Sequence, residues 1–304
     1  MTVEIAMFGA LTVRDGERRI RASDLGGTKP RGILELLLLA RGHAVSKDYL
    51  AECLWPVKAP RNVAGTLETY ISVLRQRLFN DRARARPVIV TTPNAYMVDV
   101  EFVDFDLDRF DTLLLLAERA VNVHDRRRLL TEAVAIGHSD LLEDSPYAPW
   151  AHAERLVYRD RVARAHLAIA RDDLACGDSS AALRHSDHAL RFAPYSEQAF
   201  RLIMAANYAL GHDDMARATF ARCRVLLADE LGVDPTTETH IVSTAIDAGA
   251  PVTEVVARVA VVSDVPDGRG MQRPRPSAAV VDLTSSSHPG MRGRRAFGQV
   301  ALSS

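Results

Sequence analysis

Arg61, Thr66, Thr69, Arg75 and Arg77 fall within one short stretch, NVAGTLETYISVLRQRLF preceded by Arg61. Guanidinium groups and hydroxyls are the side chains that hold phosphate oxygens and reach base edges. Arg61, at the start of the stretch, can reach a phosphate or a guanine. Thr66 and Thr69, in its first half, can bond base edges or set a methyl against a thymine methyl. Arg75 and Arg77, later, suit backbone or flanking-base contacts. Lys29, Arg31 and Lys47 sit near the starts of two preceding helical patterns, where helix N–H groups favour phosphate. Thr92, Asn94 and Tyr96 gather around a Pro93-Asn94 turn signal. The chemistry on offer is therefore binding to a polyanion.

These residues need elements to carry them. Val63, Leu67, Tyr70, Ile71, Leu74 and Leu78 recur at three- and four-residue steps, so 62–79 reads as a helix with one core face and one spare face. Thr66, Thr69, Val73, Arg75, Gln76 and Arg77 are assigned to the spare face. Ahead of it, EIAMFGALTV (4–13) reads as a strand and Arg18 to Arg21 as another. A helix follows from about Pro30 to Ala40, with Thr28 as its expected N-cap and Gly42 after its end. Ser46 is placed to cap a second helix, with Val45 and Leu50 as a hydrophobic staple. Pro56 and Pro60 make 55–61 a loop, and 86–100 reads as a β-hairpin. Strands, three helices and a hairpin in that order describe a winged helix-turn-helix, whose third helix enters the major groove while the hairpin lies beside it.

KPRGILELLLLARGHAVSKDYLAECLW, RNVAGTLETYISVLRQRL and TTPNAYMVDV resemble the DNA-binding domain of the Streptomyces antibiotic regulatory protein family, of the OmpR/PhoB winged-helix type. The resemblance implies that the third helix reads the major groove and that loop 55–61 is available to RNA polymerase. Ser72-Val73-Leu74-Arg75 stands where the family has Ser-Arg-Leu-Arg, which adds Ser72 to the expected DNA contacts. Ala95-Tyr96 stands for Gly-Tyr in the wing, and Thr92 replaces an Arg common just ahead of the wing turn.

The charge distribution agrees with a polyanion partner. Residues 1–100 carry 15 Lys+Arg against 10 Asp+Glu, whereas 101–250 carry 16 against 25. The acidic middle is helical in pattern, with helices expected over 103–120 and 125–136 and a long one ending at Gly177. Gly177 and Gly211, Ala182 and Ala216, and Ala189 and Cys223 are each 34 residues apart, the tetratricopeptide period. DLDRF (106–110) and LLADELGVDP (226–235) resemble the bacterial transcriptional activation domain that follows the winged helix in the same family. That resemblance implies a homodimer placing two winged helices on adjacent direct repeats. A solenoid groove can also take a peptide or an unknown effector.

The expected fold class is mainly α with a small β component: 1–100 winged helix-turn-helix, 101–250 tetratricopeptide-like, 251–304 a tail. Segment 252–262 reads as a helix or a short strand. From Pro266 on, Pro, Gly, Ser and Arg dominate, a composition that argues disorder. The hydrophobic fraction of 47% and charged fraction of 25% are those of a globular protein, with no membrane-length apolar run and no signal peptide pattern. Cys53, Cys176 and Cys223 read as reduced core thiols in a cytoplasmic protein. GGTKPRG lacks phosphate-loop spacing, and His185 with His188 lacks further metal ligands. No nucleophile, base or paired-carboxylate pattern presents an active site, so no enzyme, metal or cofactor is expected. The reading is a sequence-specific transcriptional regulator, with activation favoured over promoter occlusion and over a scaffold of weakened DNA specificity.

Overall fold

The computed structural model describes residues 2–78, 87–261 and 280–281. The first part contains β1 (Val3–Ala6), β2 (Thr12–Asp15), β3 (Arg18–Arg21), α1 (Thr28–Leu39), β4 (Ala44–Ser46), α2 (Lys47–Leu54), α3 (Val63–Leu78), β5 (Ile89–Thr92), β6 (Ala95–Val98) and β7 (Val103–Phe105). The single strand expected over 4–13 is two strands. Gly9 takes φ +81° between them, a left-handed conformation that bulkier residues disfavour. β1, β2 and β3 form an antiparallel meander, and β7 pairs with β1 in parallel, Ile5 opposite Phe105. Val3, Ile5, Val13, Ile20, Val103 and Phe105 alternate with exposed or half-buried neighbours and supply the buried face.

Helix termini follow local hydrogen-bonding chemistry. Ser46 Oγ accepts the Tyr49 N–H at 3.1 Å, and Val45 and Leu50 are both buried, as the staple requires. Asn62 Oδ1 accepts the Gly65 N–H at 2.9 Å at the start of α3. Thr28, expected as an N-cap, is instead the first residue of α1. Gly27 takes the cap position at φ 112°, and no side chain caps this end. β5 and β6 pair across Pro93-Asn94, with Thr92 opposite Ala95. β4 extends this hairpin, Val45 opposite Tyr96.

The second part is all helix: α4 (Asp106–Arg119), α5 (Val123–Ile136), α6 (Pro149–Ala175), α7 (Ser179–Phe192), α8 (Glu197–Ala209), α9 (Asp213–Leu231), α10 (Thr237–Asp247) and α11 (Val252–Val261). The 34-residue period is structural. Gly177 and Gly211 take φ +85° and +76° at the ends of α6 and α8. Ala182 with Ala216, and Ala189 with Cys223, are all fully buried at matching places in α7 and α9. Val255 and Val259 bury α11 among α6, α8 and α10, so the helical packing runs past residue 250. Of the remaining tail, 280–281 form a two-residue strand, β8, on the edge of β4. The expectation of disorder elsewhere in it falls outside the described residues. Cys223 is buried and Cys53 half-buried, but Cys176 is exposed, contrary to its expected place in the core.

No linker separates the two parts. One hydrophobic cluster runs from Val3 through Leu74 and Phe105 to Ile169. Asp106 Oδ2 accepts the Met7 and Phe8 N–H groups at 2.7 and 2.9 Å, and Asp144 Oδ2 accepts that of Leu11 at 2.8 Å. Glu35, fully buried in α1, accepts from Ser145 Oγ at 2.6 Å and Trp150 Nε1 at 3.1 Å. Burial pushes the Glu35 carboxyl above the usual range, while those two donors pull the other way.

Candidate nucleic-acid interface

α3 buries Leu67, Ile71, Leu74 and Leu78 and turns outward a four-step row of Ala64, Glu68, Ser72 and Gln76. Thr69 and Arg77 flank that row, and Arg61 is exposed at its entry. The Thr66 hydroxyl donates to the Asn62 carbonyl at 2.7 Å and the Thr69 hydroxyl to the Gly65 carbonyl at 2.8 Å. Both protons are thereby committed to the helix backbone, and the oxygens face outward chiefly as acceptors. Val73, assigned to the spare face, is half-buried. A Cβ on Gly26 would lie 3.2 Å from its Cγ1, so Val73 packs on the turn before α1.

Several expected phosphate ligands are engaged by other groups of the chain. Arg75 donates from Nε and Nη2 to the Ile89 carbonyl at 3.0 and 2.6 Å, and from Nη2 to Thr91 Oγ1 at 2.8 Å. It fastens α3 to the hairpin. Arg77 donates to the Asp24 carbonyl at 2.8 Å and so holds the turn that precedes α1. Lys29 donates to the Leu54 carbonyl and lies 5.9 Å from the Trp55 ring centre. Arg31 Nε lies 3.6 Å from Glu35 and points into the core side of α1. Tyr96, expected on the wing surface, is 1% exposed and belongs to the core. It is covered because β4 and Lys47 close over the hairpin.

Lys47 links three parts of the surface. Its backbone N–H donates to the Asn94 carbonyl at 3.0 Å, its ammonium lies 5.4 Å from the Tyr96 ring centre, and Nζ is 3.3 Å from Glu68 Oε1. The bond to Glu68 raises the Lys47 pKa, so the ammonium stays charged. Thr92 Oγ1 donates to the Ala95 carbonyl at 3.1 Å and closes the wing turn, leaving Asn94 exposed at its tip. Arg61, Thr69, Ser72 and Asn94 are thus brought to the outer surface, with Lys47 between α3 and the wing. Loop 55–61 lies alongside, with Trp55 stacked on Tyr70 at 6.4 Å and Val57 wholly exposed.

Arg75→Ala should weaken DNA binding through loss of hairpin docking. The expected cost is about 1–3 kcal/mol of stability, with an unchanged slope of log affinity against log salt. Urea denaturation and titrations at several salt concentrations check this. A slope shallower by about one contact would put Arg75 on a phosphate instead.

A helix with an outward polar row, braced by a hairpin and two shorter helices, defines a winged-helix DNA-binding module, here built onto an all-α array. Residues 26–96 match the family model described as transcriptional regulatory protein, C terminal, and residues 105–246 match the bacterial transcriptional activator domain. The chain thus carries the paired domains of a DNA-binding transcriptional regulator and is similar to regulators of the Streptomyces antibiotic regulatory protein family. It is 26% identical over 266 residues to the transcriptional regulatory protein MoaR1 of Mycobacterium tuberculosis, covering 86% of this chain and 84% of MoaR1. It is 30% identical over 229 residues to the regulatory protein AfsR of Streptomyces coelicolor, covering 73% of this chain but 22% of AfsR. The Mycobacterium tuberculosis EmbR structure, solved with a low-affinity phosphopeptide, superposes with a TM-score of 0.70 at 23% identity. That match covers 85% of this chain and 69% of EmbR. Among the described residues no helix is long and apolar enough to cross a membrane.

Proposed function

We propose that this chain is a cytoplasmic activator that binds a promoter direct repeat as a homodimer and presents loop 55–61 to RNA polymerase. Residues 1–100 hold the DNA, and 101–250 bring two copies together. The observation that carries the reading is the outward row of α3 flanked by Lys47 and the wing tip Asn94. A helix so placed fits the major groove, and Asn94 then faces the adjacent backbone. Arg61 and Lys47 supply cations at the two sides of the helix, where phosphates flank the groove.

Duplexes selected from a randomised pool by the full-length protein test this reading. Enrichment of a direct repeat spaced by about one helical turn supports it. Arg61→Ala should then lower affinity for all sequences alike and reduce the salt slope by about one. A single unrepeated half-site, with sedimentation as a monomer both free and on DNA, would sink the dimer. Wild-type transcription in vitro after replacement of Val57 and Lys58 would remove the loop from the polymerase contact.

A further inference from the structure

Glu68 is the sole acidic residue in α3 and occupies the middle of its outward row, with 63% of its side chain exposed. A carboxylate on a face that meets DNA is repelled by phosphates. It is also held. Lys47 Nζ sits 3.3 Å from Oε1, and Lys47 is itself fixed by the Tyr96 ring beneath it and by its backbone bond to Asn94. Lys47 has only 18% of its side chain exposed, so it serves as a clamp. The carboxylate is acceptor-only. In the major groove, guanine shows acceptors at N7 and O6 and thymine an acceptor at O4, whereas cytosine offers its N4 amino donor. Thr69 shares this bias, because its hydroxyl proton goes to the Gly65 carbonyl.

We propose that Glu68, clamped by Lys47, is a specificity-determining residue that reads a cytosine amino group in each half-site and rejects guanine and thymine there. The inference rests on the proposed major-groove placement of α3 and adds to it the class of base edge that this helix accepts. Glu68 and Thr69 make the middle of this face acceptor-biased, so the target strand offers exocyclic amino groups where the middle of α3 sits. Thymine is admitted only beside Ala64 or the Thr69 methyl.

The test repeats the pool selection with full-length wild type and Glu68→Gln, each shown to be folded by thermal melting. Wild type should enrich cytosine at one position per half-site, and changing that cytosine to guanine should weaken binding roughly 5–150-fold. Glu68→Gln should keep the rest of the motif, lose the cytosine preference at that position, and accept adenine, whose N6 and N7 suit an amide. Its affinity for unrelated duplex should rise severalfold, because a like charge has left the interface. An unchanged motif in Glu68→Gln overturns the assignment while leaving the major-groove reading intact. Absence of any motif from folded wild type overturns both.

Discussion

Arg41→Ala is expected to destabilise the protein by about 3 kcal/mol, within the 3–5 kcal/mol typical of breaking a buried charge network by removing one member. Arg41 follows the end of α1 at φ +45°, a left-handed conformation that non-glycine residues seldom adopt. That backbone turn sends its side chain across the junction. Nη1 contacts Asp108 Oδ1 and Asp111 Oδ2, each at 2.9 Å, and Nη2 reaches the Tyr158 hydroxyl. Arg161 binds the other Asp111 oxygen at 2.7 Å, and both guanidinium groups lie over the Tyr158 ring. Burial raises the Tyr158 pKa, so its phenol stays protonated and donates to Asp111 at 3.0 Å. Alanine leaves Asp111, 13% exposed, with one cation where it had two. Asp108 is 42% exposed and water replaces its partner, which holds the expected loss toward the lower end.

Arg41→Lys should recover only part of this, because an ammonium cannot span two carboxylates and a phenol as a planar fork does. Urea denaturation followed by circular dichroism reads the loss as a shifted midpoint. The continuous cluster from Val3 to Ile169 further predicts that the part from β1 through α6 unfolds as one unit. A midpoint unchanged by Arg41→Ala would mean that α1 and α4 are held by apolar packing alone. The same network bears on function, since it fixes the attitude of α1, and of α3, which packs on α1 and is proposed to read DNA, against the array proposed to dimerise.

How far the sequence could be read depends on the range of the interaction. Local chemistry was legible: the Ser46 cap, the Pro93-Asn94 turn, the apolar rows of α3 and the left-handed glycines at 177 and 211 each follow from neighbours a few residues away. Helical spacing also tells on which side of α3 a residue lies. It does not tell what stands opposite. Arg75 and Arg77 are on the expected side, yet their guanidinium groups already bond the Ile89 and Asp24 carbonyls of neighbouring segments. Tyr96 looked like a wing-tip residue because β4, some fifty positions earlier, gives no local sign that it will cover the hairpin. Glu35 with Ser145 and Trp150, and Arg41 with Asp111 and Tyr158, join residues about seventy to over a hundred apart. A buried Glu in an otherwise apolar run was the available signal for the first pair. Glu68 likewise finds its partner on another element, Lys47 of α2, while its carboxylate remains on the outer face of α3.

Acid should loosen the helical array through His166, by the second large effect expected of this chain. His166 is 6% exposed on α6, with Nδ1 3.0 Å from His185 Nδ1 and its ring stacked 5.2 Å from that of His188. Burial first, then the nearby His185, His188 and Arg191, pushes its pKa down to about 3. His185 is lowered as well, by burial and then by His188, Arg184 and Arg127. Only one proton fits between the two Nδ1 atoms, so the folded pair cannot be doubly protonated, and the lowered pKa values keep it neutral near pH 7. The unfolded imidazole titrates near 6.5, so between about pH 6.5 and 3 the unfolded chain binds more protons and stability falls as pH falls. A shift from 6.5 to about 3 corresponds to roughly 4–5 kcal/mol at full development, of which about 2–3 kcal/mol appears by pH 4.5. Glu35, Asp106 and Asp173 act in the opposite sense, because burial raises each of their pKa values and acid relieves them. Comparison with His166→Phe removes that background. Phenylalanine keeps a ring against Phe192 and His188, and half-buried His185 can turn its nitrogen to water. Urea denaturation from pH 7.5 to 4.5 should show a steep loss in wild type and a slope shallower by about 2–3 kcal/mol over that window in the variant. Parallel slopes would mean that water reaches the imidazole in the native state, and that the α6–α7 contact is not sealed as the 6% exposure implies.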